Sequence, residues 1–281
     1  MSYQINNKNK KISLILFFCL VVALAMVRVH LVRADESAAK TDLIWQKERL
    51  EAEITQARQD YNQSLEEYRN KERVYDIAYD QYASLKTLAT LEDLVVKTKA
   101  VAVSRDQVLM NYFELLKLNL FASEGVELSV KNQYLNLIED KIGLLKKHHE
   151  RLQEKNSQSE VQESLEDFAE ISDLEKISQQ VLALLAISRL QRVYDLAIPL
   201  KKDIDSFRDL EELSALSALV RASEETDKTL GQAKSNLKLL WEKAEKTNSL
   251  ETIYRNLTTE LNPVYINLSQ SLTYLGELLK L

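Results

Sequence analysis

From residue 41 to residue 87 the chain runs without a glycine or proline, and Ile54, Tyr61, Tyr68, Tyr75 and Tyr82 stand seven residues apart within it. Leu50, Ala57, Leu65, Ala78 and Leu85 fill the interleaved positions approximately. A seven-residue apolar repeat marks a coiled-coil-like seam on one side of a long helix. At 1.5 Å per residue that helix would span about 70 Å. The five residues from Ile54 to Tyr82 form a candidate interaction seam. Exposed, the tyrosines would stack on sugars or grip an apolar peptide. Packed, each ring would be buried with its hydroxyl at the solvent edge, which is the arrangement that seam spacing demands.

The rest of the chain follows the same logic. Four glycines and two prolines in 281 residues leave little turn chemistry for a sheet protein. Good helix formers, above all Leu, Ala, Glu, Lys and Gln, dominate. An all-α, elongated helical bundle is expected. Thr90 followed by Asp93 reads as a capping box opening a second helix, and Gly125 as its stop. A third helix is expected over about 127–155. A fourth, over about 160–205, contains the apolar stretch 181–200 and should be central. Pro199 should kink or end it locally, and Ser206 to Asp209 offers the next cap. A fifth helix should run to about 246. Thr247 to Ser249 caps a sixth, which Pro263 should kink near its middle.

An internal repeat organises these helices. Arg73-Val74-Tyr75-Asp76-Ile77-Ala78 recurs as Arg192-Val193-Tyr194-Asp195-Leu196-Ala197, 119 positions on. The helix breaks repeat at similar spacing. Two tandem three-helix units are expected, 41–158 and 159–281. In outline each resembles the three-helix spectrin-type repeat, in architecture alone, since no spectrin signature residues are present.

Residues 1–34 differ from everything after them. Lys8, Lys10 and Lys11 precede an uncharged apolar core, 12–27, in the pattern of a signal peptide or membrane anchor. Cleavage after Ala25 or Ala34 fits small-residue rules. An uncleaved segment, extended through Val29, Leu31 and Val32, could instead enter the membrane. Cys19, the only cysteine, follows Phe18 within the run, which is unsuited to a lipidation site. The body is therefore expected outside the cytoplasm. It has no cysteine for a disulfide, so helix packing alone must hold it.

Net charge is −6 although residues 1–34 carry basic residues and no acid. The body is thus more acidic still, which disfavours nucleic acid as a partner. His148-His149, among Lys146, Lys147, Glu150 and Arg151, reads as a solvated charged stretch, because adjacent histidines on a helix point apart. Arg105 is a candidate polar register residue, or a surface arginine laying its stem on the apolar face. No catalytic, cofactor-binding or metal-binding constellation stands out. The sequence therefore points to an exported or anchored, non-enzymatic interaction, scaffold or spacer module with an unidentified protein partner or a second copy of itself. A helical carrier of a lipid or other apolar ligand is the alternative, and an envelope enzyme with carboxylate acid/base chemistry ranks behind both.

Overall fold

A computed structural model describes the backbone of residues 5–168, 173–210, 217–246 and 249–279, and within those ranges the side chains from residue 44 onward except 208–210 and 217. The described residues form eight helices and no strand: α1 Ile5–Leu85, α2 Leu88–Ala122, α3 Leu128–Glu154, α4 Gln158–Asp167, α5 Leu174–Leu210, α6 Ser217–Ala244, α7 Ser249–Arg255 and α8 Leu257–Leu278. By packing, the chain divides into residues 1–53 and 54–281. In the first unit the described side chains, Ile44 and Trp45 among them, are exposed or nearly so. The signal or anchor segment, with its apolar core 12–27 and both cleavage sites, lies outside the residues whose side chains are described. Among the described residues no helix is long and apolar enough to cross a membrane.

Within 54–281 the helices fold back on one another. α1 ends at Lys86, whose φ of 51° is left-handed, and its N–H bonds the Tyr82 carbonyl at 2.9 Å. The opening cap of α2 is Thr87, three residues before the expected Thr90. The Thr87 hydroxyl accepts from the Thr90 N–H at 3.3 Å, while the Thr90 hydroxyl accepts from the Thr87 N–H at 3.2 Å. Thr90 thus fills the third helical position instead of starting the helix. α1 and α2 then run antiparallel: the rings of Tyr61 and Tyr112 lie 5.6 Å apart, and Asn111 donates to the Asp60 carbonyl at 3.2 Å.

A lysine at the left-handed position costs stability that glycine would not. Lys86→Gly is expected to raise stability by about 0.5–1 kcal/mol after the greater freedom of the unfolded chain is counted. A lower melting temperature in that variant would contradict the assigned turn.

Two helix ends are closed by lysines from neighbouring helices. Lys99 of α2 donates to the Gln153 and Lys155 carbonyls, both at 2.6 Å, where α3 stops. Lys131 of α3 donates to the Ser123 and Phe121 carbonyls where α2 stops. Cations there satisfy orphan carbonyls and the helix dipole. α2 and α3 are antiparallel, as the pairing of Lys117 with Glu139 also requires.

The expected single helix over 160–205 is instead α4 and α5. Ser157 caps α4 and Glu160 reaches back to it in a capping box; α4 ends at Asp167, and α5 begins at Leu174. α5 continues through Pro199 to Leu210. The cap expected at Ser206 is absent because its hydroxyl donates to the Lys202 carbonyl inside α5. The expected sixth helix is divided too, into α7 and α8 around Asn256, while Pro263 lies inside α8. α5 and α6 pair antiparallel through Lys201–Ser223 and Gln191–Trp241. α6 and α8 do so through Arg221–Glu277 and Thr229–Ser271.

Three apolar clusters hold these layers. The largest joins Phe113, Leu116 and Leu120 of α2 to Ile138 and Leu145 of α3, Val181, Leu184 and Ile187 of α5, and Ile253 of α7. It draws on residues from both sides of position 158. A second packs Ala197 with Leu219, Leu237, Val264, Leu268 and Leu275. A small third joins Ala102, Leu152 and Val161.

Candidate functional site

The expected seam is continuous but half-buried. Ile54, Tyr61, Tyr68, Tyr75 and Tyr82 are all intermediate in exposure, and Ala57, Ser64 and Ala78, three positions further on, are buried beside them. The small residues are covered, and the rings stand half-buried beside them. The Tyr68 hydroxyl donates to Glu72 at 3.1 Å. Burial first, and then that carboxylate, hold its pKa above the ordinary tyrosine value.

Tyr112 and Tyr134 face inward from α2 and α3. Burial raises both pKa values; for Tyr112 the bond to the Ser178 hydroxyl, at 2.7 Å, pulls in the opposite direction. A raised folded pKa means that the neutral ring's contribution is full below the unfolded value of about 10. It is lost as pH rises through the higher folded value. Ultraviolet titration should therefore find some of the twelve tyrosines ionising late, with the melting temperature falling over the same range. Uniform ionisation near 10 with no loss of stability would contradict this burial.

The histidine pair is where sequence reasoning failed. His148 is not solvated: it is 1% exposed. Its Nδ1 meets Asp106 Oδ2 at 2.6 Å and its Nε2 meets the Ser164 carbonyl at 2.8 Å. Asp106 is fully buried. Both ring nitrogens are therefore engaged with oxygen partners, so neither is left unsatisfied. The Ser164 carbonyl belongs to the last turn of α4, where carbonyls lack helical partners. His148 thus ties α2, α3 and the end of α4 together. Arg105 stands beside this node. Its guanidinium lies 3.6 Å from the centre of the Phe168 ring and 3.4 Å from Asp106 Oδ1, and its Nε is buried without a partner. His149 points elsewhere and is half-buried, with Nδ1 unpartnered. The missed signal was spacing: His148 falls on the stripe of Tyr134, Ile138, Leu145 and Leu152.

This aspartate–histidine pair is not arranged to activate a nucleophile, because Nε2 is occupied by a backbone carbonyl. A second polar node is likewise closed. Buried Lys201 meets Asp205 at 2.5 Å, the Ser223 hydroxyl at 3.0 Å and Asp227 at 3.2 Å. Among the described residues no three acidic, histidine or cysteine side chains are grouped to hold a metal ion.

Open space lies instead between the start of α3, the middle of α5 and the end of α6. One cavity of about 480 Å³ is lined by Val126, Val130, Leu184, Trp241 and Ala244, with Glu127, Gln191 and Glu245 as its polar members and Gly125 at one end. Gly125 has a φ of +81°, and a Cβ there would meet the Gln191 side chain at 2.7 Å. Gln191 in turn accepts from the Trp241 indole at 3.2 Å. An adjoining cavity of about 420 Å³ shares Val130, Ala244 and Glu245 and adds Gln133, Tyr134, Leu137, Lys176, Gln180, Lys246 and Leu250. Volumes of this size suit small-molecule ligands. A third cavity, about 320 Å³, lies between α1 and α2 and is lined largely by polar side chains, His149 among them.

Sequence reasoning marked 181–200 as central but did not find this groove, whose walls come from three distant segments. Comparison of the chain with family models, with curated protein sequences and with solved structures finds no match.

Proposed function

We propose that this chain is a non-enzymatic, extracytoplasmic interaction or scaffold protein, exported or held in the membrane by residues 1–34. The observation that carries this reading is on α8. Tyr265 and Leu272 of α8 and Leu279, the residue that closes it, are exposed and stand seven residues apart. That is seam spacing on a face left uncovered by the described residues, and such stripes mark protein contacts. Leu196, Leu200 and Phe207 add exposed apolar surface on α5.

The body is read as two tandem three-helix units, 41–158 and 159–281. The repeated hexapeptides support this beyond their letters. Ala78 and Ala197 are buried, Tyr75 and Tyr194 are half-buried, and Ile77 and Leu196 are exposed. Crosslinking followed by capture from the native envelope is expected to recover a protein partner or a second copy, and Leu272→Arg is expected to abolish it. Recovery unaffected by Leu272→Arg would remove the α8 stripe from the reading. A second reading, a helical carrier of a lipid or other apolar ligand, is favoured by the adjoining cavities beside Trp241.

A further inference from the structure

We propose that the groove formed by the two adjoining cavities binds an amphiphile with a long apolar chain and a single anionic head; this rests on the carrier reading and gives it a ligand class. The two cavities differ in chemistry. The larger presents Val126, Val130, Leu184, Ala244 and the Trp241 ring. Burial of a chain there is favourable in proportion to the apolar area covered. Glu127 and Glu245 border this cavity but are exposed, so their carboxylates stay hydrated.

The smaller cavity collects donors. Tyr134 lines it and is only 9% exposed, and its hydroxyl has no hydrogen-bond partner among the described residues. The hydroxyl itself is open to solvent at the cavity, where it can donate to water or to a ligand. Gln133, Gln180, Lys176 and Lys246 stand around the same cavity. Among the described residues neither lysine is engaged in an ion pair, so two exposed lysines and one phenolic hydroxyl border the cavity where a single anionic head would lie. Among the described residues Glu245 is the one acid lining this cavity, against two lysines. Val130, Ala244 and Glu245 line both cavities, so the two adjoin and one long molecule would lie across these shared residues.

The test uses the full-length chain carrying Trp45→Phe, which leaves Trp241 as the only tryptophan. A long-chain fatty acid, the alcohol of the same chain length and the corresponding alkylamine are each titrated below their micelle concentrations, with Trp241 fluorescence as the readout. Saturable binding of the acid is expected, at least tenfold tighter than binding of the alcohol or the amine. Lys176→Gln with Lys246→Gln, both exposed changes that leave the fold intact, should weaken the acid about tenfold and leave the alcohol unchanged. Ala244→Phe, which fills the shared wall, should abolish all binding, with circular dichroism reporting whether the fold is kept. Equal binding of acid and alcohol, or a preference for the amine, overturns the anionic head while leaving a carrier. No saturable binding of any of the three overturns both.

Discussion

Replacing His148 with alanine is expected to cost about 3–5 kcal/mol, because two buried acceptors lose their partner at about 1–3 kcal/mol each and a cavity is left behind. In a chain of this size that corresponds to a fall in melting temperature of roughly 6–20 °C. Three losses coincide. Asp106, with no exposed surface, loses its 2.6 Å partner. The Ser164 carbonyl at the end of α4 loses its donor. The Phe168 ring, 5.4 Å from the imidazole, loses one of its two covers. Asp106→Asn keeps an acceptor and the side-chain volume, so it should cost less, about 1–3 kcal/mol. The double variant should fall short of the sum of the singles, with a coupling of about 0.5–3 kcal/mol. His149→Ala, one residue on, should change stability by about 0.5 kcal/mol or less. Denaturant melts of the four variants check the set, and equal effects at His148 and His149 would contradict the buried node.

That contrast shows what the sequence could and could not convey. Helix content was legible because few glycines and prolines interrupt it, and the limits of α3 fell within a residue of expectation. The end of α2 near 122–125 was legible, but the chain leaves the helix at Ser123, which is extended, and Gly125 takes its left-handed φ in the loop beyond, so the glycine is not the stop. His148 was misread because its neighbours, Lys146, Lys147, Glu150 and Arg151, set the character of the stretch. Burial follows position on the helix, and the deciding partner, Asp106, lies 42 residues away. The division of α4 from α5 and of α7 from α8 was missed for a related reason. Apolar periodicity continues across both breaks, and only packing against other helices decides where the backbone turns. The groove was invisible because Tyr134, Lys176 and Lys246 meet only after α3, α5 and α6 are assembled.

Phe113→Ala is the other large effect, expected at about 3–5 kcal/mol for a fully buried ring replaced by a cavity. Its value lies in how the loss is distributed. Phe113 is 1% exposed and belongs to the cluster that takes residues from α2, α3, α5 and α7. Trp241 of α6 packs against the same cluster. A duplicated sequence does not require that each copy fold alone, because stacked repeats are stabilised by the interface between them. The cluster crosses position 158, so the two proposed units should melt as one. Circular dichroism and Trp241 fluorescence should shift together in Phe113→Ala by the same number of degrees, with Trp45→Phe as background. Loss of helix at lower temperature while the Trp241 transition stays in place would mean that 41–158 and 159–281 fold independently. In the first outcome the repeat is a record of how the chain arose, and the groove beside Trp241 depends on both copies for its walls.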